Sequence, residues 1–141
     1  MEQPPGHSRE EELYTLSYMQ QLYQNQYSTI VSEINRDIQY LNELGALKKT
    51  LEGVELVMGR DVLVNLGANA YMNSRAEKLD SVLIDIGAGY VVEKSVDDAT
   101  LFVDARVERS TKMFNSLVKS RNELRDAIVE VARRIDTLNR T

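Results

Sequence analysis

One histidine, no cysteine and a scatter of carboxylates are all that this sequence offers toward making or breaking bonds. Nucleophilic catalysis needs a Ser, Cys or Lys held against a base, and zinc needs three or four converging N, S or O ligands. His7 lies in a Pro- and Gly-rich leader, residues 1–7, and reads as a solvated side chain with no ligand role. Without thiols there is neither a disulfide framework nor a thiolate metal site. One run does have cofactor-like spacing: Val82-Leu83-Ile84-Asp85-Ile86-Gly87-Ala88-Gly89. Such glycines, placed between a strand and a helix, let backbone approach a phosphate at the helix N-terminus. Here Val91 stands where the third glycine of a G-x-G-x-G loop belongs, and Tyr90 to Lys94 continue as strand. The expectation is a protein that is not an enzyme, with no catalytic residue, no cofactor and no metal.

The glycine run is also not unique. Val62-Leu63-Val64-Asn65-Leu66-Gly67-Ala68-Asn69 matches it at an offset of 20 residues. Each copy alternates apolar residues into a Gly-Ala-Asn or Gly-Ala-Gly turn, then continues as a second strand, Ala70 to Arg75 or Tyr90 to Lys94. Alternation broken by such a turn predicts a β-hairpin, here two in succession within residues 53–94. Two isolated hairpins with strands this apolar expose more edge and face than they can cover. They are expected to pair with hairpins of other chains, through Val62, Val64, Leu66, Val82, Ile84, Ile86, Tyr90 and Val92.

Long helices flank this middle zone. From Leu13, alternating steps of three and four reach Leu16, Gln20, Tyr23, Tyr27, Ile30, Ile34, Asp37, Leu41, Leu44, Lys48 and Leu51. Nine of these twelve positions are apolar, where composition alone gives about five. Ser8 and Glu11 form a capping box at the start, so the helix is placed over residues 8–52. A second seam runs through Val96, Thr100, Val103, Val107, Ser110, Phe114, Leu117, Arg121, Leu124, Ile128, Val131, Ile135 and Leu138, with Ser95 as N-cap, over residues 95–141. Each helix is about 44 residues, or roughly 66 Å. Equal lengths joined by a returning segment predict an antiparallel two-helix coiled coil. Glu10, Glu11 and Glu12 then lie beside Arg133, Arg134 and Arg140, in accord with both helix dipoles. Gly45 is expected to weaken or bend the first helix without stopping it.

Residues 8–141 are thus read as one α+β domain. Lys plus Arg number 17 against 22 Asp plus Glu, a net charge of -5, which argues against a nucleic-acid partner. No signal-peptide pattern and no apolar run near 20 residues is present, so no membrane partner is expected and the cytoplasm is the expected location.

Helix, two repeated hairpins ending in Gly-Ala-Gly, and an equally long helix: this layout resembles the alpha class of prefoldin. The most specific match is the pair Val62 to Gly67 and Val82 to Lys94, similar to the two hairpins of archaeal alpha subunits; the beta class has one hairpin. The resemblance covers nearly the whole chain. It implies a hexamer with prefoldin beta subunits, two alpha and four beta, in which the hairpins assemble into an intersubunit β-barrel. It also implies an ATP-independent chaperone that captures unfolded client proteins at the coiled-coil tips and transfers them to a group II chaperonin. A competing resemblance, of Val82 to Gly89 to the first motif of adenosylmethionine-dependent methyltransferases, lacks the strands of a doubly wound sheet.

A chaperone that holds many clients needs adaptable apolar groups outside its own seam. With Leu13 at heptad position a, Tyr14 falls at b, Tyr18 at f, Met19 at g and Leu22 at c, all wet in a two-helix coil. Tyr gives broad contact area and Met adapts to irregular partners. The expected client-binding residues are these four with the seam ends Leu13, Leu16, Val131, Ile135 and Leu138. The alternative is a coiled-coil scaffold or heterodimerisation module with one fixed partner and no chaperone activity.

Overall fold

The computed structural model describes residues 7–77 and 80–140. A helix α1 (His7–Glu52) is followed by one turn of helix, α2 (Val54–Val57). Four strands come next, β1 (Asp61–Gly67), β2 (Ala70–Arg75), β3 (Ser81–Gly87) and β4 (Tyr90–Ser95), and the chain ends in α3 (Val96–Arg140). Residues 1–6 of the leader lie outside the described residues. The helix takes up His7, one residue ahead of the start that Ser8 suggests. At the other junction Ser95 caps α3 as expected, its Oγ accepting from the Asp98 N–H at 3.1 Å.

The chain divides into two compact units, Met1–Gln39 with Thr111–Thr141, and Tyr40–Ser110. In the first, α1 and α3 run antiparallel: Arg9 donates to the Leu138 carbonyl at 2.6 Å and Arg134 pairs with Glu12 at 3.3 Å. Every seam position of this unit, from Leu13 through Asp37 and from Phe114 through Leu138, is buried or half-buried. Arg133 also pairs with Glu130 and Arg140 with Asp136, one turn away on their own helix, where the geometry of i, i+3 and i, i+4 neighbours costs less order.

In the second unit the core is Leu44, Leu51, Ala99 and Val103. Val103 is 1% exposed and Ala99 0%. Burying Leu44, Leu51 and Val103 contributes about 2 kcal/mol each. Ala99 is off the seam, and so are the half-buried Phe102 and Arg106. The buried face of α3 widens here because the second hairpin lies on it, with Val82 and Ile84 packed against the core. Gly45 sits in unbroken helix, with open space where a Cβ would stand.

The sheets are two separate antiparallel ribbons, β1–β2 and β3–β4. Their pairings are equivalent, Val64 opposite Met72 and Ile84 opposite Val92, each with a bulge just before the turn. Ala68 and Asn69 have φ of 49° and 63°, and Ala88 and Gly89 have 53° and 79°. Positive φ at both central residues gives the turn whose twist suits a hairpin. The side chain two residues before each first glycine steadies the turn: Asn65 Oδ1 accepts from Gly67 N–H and Asp85 Oδ1 from Gly87 N–H, both at 2.8 Å. The 20-residue repeat in sequence is therefore a repeat in backbone.

Candidate functional site

Among the described residues no three His, Cys, Asp or Glu side chains converge as metal ligands. The Gly87-Ala88-Gly89 loop leads into strand β4, so the helix N-terminus that a phosphate cradle requires is missing from it. What the structure presents are surfaces.

The first is on α1. Tyr14 is 77% exposed and Tyr18 63%, with Leu22 also exposed, at spacings of four that set them in one stripe. Met19 and Leu13 are half-buried beside it. Leu16 and Val131 are buried, and Ile135 and Leu138 half-buried, because these seam residues hold the helices together. Of the nine side chains expected to meet a client, three stand clear in solvent. Leu22 continues into a shallow groove of about 340 Å³ formed with Asn25, Gln26, Thr29 and Ile30. Val129 and Met113, exposed on α3, were not among the expected contacts. Their only signal in the sequence is an apolar residue off the seam, which is common on any surface.

The second surface is the hairpins. Val62, Val82, Ile84 and Val92 are half-buried, while Val64, Leu66, Ile86 and Tyr90 are exposed. The opposite faces are open as well: Leu63 is 67% exposed and Leu83 74%, with Tyr71 and Val91 alongside. Beneath the second hairpin is an apolar cavity of about 480 Å³, lined by Leu44, Leu47, Val57, Val82, Ile84 and Phe102, among others. Arg106 borders it, donating to Tyr40 Oη at 2.8 Å and stacking 4.6 Å from the centre of the Phe102 ring. Lys94 lies 5.4 Å from the same ring. Lys94 on this ring fastens β4 to α3, while Arg106 stacks on it from within α3; each such contact is worth about 1 kcal/mol. The i, i+4 spacing of Phe102 and Arg106 was its legible sign.

Two ion pairs elsewhere shift the groups that form them. Lys48 pairs with Asp104 at 2.8 Å, and this hydrogen bond, with the carboxylate field, holds the ammonium above its usual range. Arg133 donates to Glu130 from Nη2 at 2.7 Å and from Nε at 3.1 Å, holding that carboxyl below the usual carboxylate range. Both pairs are exposed, where ion pairs contribute little.

Comparison with known proteins agrees with this geometry. Residues 23–140 match the family described as prefoldin subunit. A prefoldin subunit alpha of Thermococcus onnurineus is 33% identical over 102 residues, 71% of this chain and 69% of that one. The prefoldin subunit alpha of Pyrococcus horikoshii is 26% identical over 87% of this chain and 84% of its own. Among solved structures, a filamentous PFD of Methanocaldococcus jannaschii, seen by cryo-EM, superposes with a TM-score of 0.58 at 24% identity, covering 84% of this chain and 93% of that one.

Proposed function

Since the chain belongs to the prefoldin family, whose members are chaperone subunits, we propose that it is an alpha-type subunit that captures non-native polypeptides and passes them to a group II chaperonin without nucleotide hydrolysis. The observation that carries capture is the exposed stripe Tyr14, Tyr18 and Leu22. Three large apolar or aromatic side chains in solvent at one end of a paired-helix unit cost solubility, and a binding role offsets that cost. Clients meet these three directly, with Met19 at the margin. Leu13, Ile135 and Leu138 become available where the helix ends fray, and Leu16 and Val131 only if the helices part.

Assembly is the work of the hairpins. Their open apolar faces support pairing with hairpins of neighbouring subunits, beta subunits included, in a closed intersubunit sheet of two alpha and four beta chains. Residues 8–141 act as one domain, and the complex works in the cytoplasm. Among the described residues no helix is long and apolar enough to cross a membrane.

Replacing Tyr14, Tyr18, Met19 and Leu22 by Ser tests the reading. Suppression of aggregation of unrelated denatured proteins, measured without ATP, should fall about tenfold while the assembly keeps its native mass. Unchanged suppression would remove the stripe from the mechanism. Holding restricted to one partner protein would favour a fixed scaffold.

A further inference from the structure

In the unit that carries the stripe, the two helices are unlike in charge. From Leu13 to Ser32, α1 runs for twenty residues without a charged side chain, between Glu12 and Glu33, where a composition of 28% charged residues would place about six. The helix it pairs with carries ten charged residues between Lys119 and Arg140. An exposed helical face normally carries charges for solubility and for i, i+4 pairing. On α1 the outward positions hold Tyr and Leu, then amides and hydroxyls. Gln21, Gln24, Asn25 and Gln26 are all exposed. The stripe Tyr14, Tyr18 and Leu22 therefore does not stop at the helix start. It continues one residue type at a time into the groove of Leu22, Asn25, Gln26 and Thr29.

An amide side chain is both donor and acceptor, and so matches the unpaired N–H and C=O groups of an extended backbone whatever its sequence. A surface without fixed charge neither attracts nor repels a partner by its net charge, and its binding has no counterion contribution to lose in salt. Resting on the chaperone reading above, we propose that the client surface lies on α1 rather than α3. It extends from Tyr14 to Thr29 and takes extended apolar segments of either net charge by packing and amide–backbone hydrogen bonds.

The test uses the assembled protein and two unfolded apolar proteins of opposite net charge, with binding followed by fluorescence anisotropy. Between about 50 and 500 mM salt the dissociation constants for both should change by less than about threefold. The double substitution Asn25→Ala, Gln26→Ala should weaken both about fivefold, and Arg125→Ala, Asp126→Ala on α3 should leave them within about twofold. Ala favours helix at all four positions, and circular dichroism confirms that each variant is folded. A salt effect of tenfold or more, an unchanged constant for the α1 variant, or a larger loss in the α3 variant overturns this inference and leaves the chaperone reading standing. A wild-type protein that binds neither polypeptide overturns the chaperone reading itself.

Discussion

The two hairpins are built by the same local rule and end in different surroundings. Both have a bulge, an Asx contact to glycine and two turn residues of positive φ. The second lays Val82 and Ile84 on the core of α1 and α3. The first has no such support among the described residues of its own chain, and Val64, Leu66, Tyr71 and Met72 stay exposed. A two-stranded ribbon alone is marginal in water. Local sequence thus suffices to draw a hairpin, while its stability is borrowed from whatever it packs on, which for the second is its own helices and for the first, in the proposed assembly, another chain.

The largest effect expected from this difference comes from a charge set against the core. Ile84→Asp sets a carboxylate against Leu44 and Val103 and should cost at least about 3 kcal/mol in denaturant unfolding of the isolated chain. Val64→Asp should change that unfolding by less than about 0.5 kcal/mol, while lowering the mass of the assembly in native mass spectrometry. Equal destabilisation of the isolated chain by the two changes would break the comparison.

A smaller effect probes what the hairpins share. Asn65→Ala and Asp85→Ala each remove the acceptor for a glycine N–H, and each should cost about 1 kcal/mol of local stability, read from amide exchange at Gly67 and Gly87. A loss confined to one hairpin would mean that the turns are not held alike. The smallest effect is at Ala68 and Ala88, whose left-handed backbone costs an L-residue about 1 kcal/mol. Glycine relieves this but gives back most of the gain as chain entropy, so Ala68→Gly and Ala88→Gly should each raise stability by about 0.5 kcal/mol or less in thermal melts.

Much of this fold is legible in the sequence because period reports burial. No seam position named from the steps of three and four is fully exposed, and the junctions at Glu52 and Ser95 lie within a residue of where the pattern changes. Ser95 is readable as a cap since only its own hydroxyl and the N–H three residues on are involved. The single turn α2 was not, because four residues are too few to show a helical period. Nor was the wide face of α3: Ala99, Phe102 and Arg106 are covered by a hairpin whose docking depends on contacts distant in sequence. The candidate surface was legible in part for the same reason. Heptad position separates Tyr14 and Tyr18 from the buried Leu16, but seam residues near a helix end carry no mark of whether the end is open or closed.

The contact of Arg9 with the Leu138 carbonyl joins residues 129 apart in sequence. Chain synthesis delivers α1 first, and its apolar edge has no mate until the last turns of α3 leave the ribosome. Hairpins can form as soon as they emerge, since their partners are neighbours in sequence, but the start of α1 must wait for the end of α3. For that interval the nascent subunit exposes the same kind of greasy, unfinished surface that it is proposed to shelter in others.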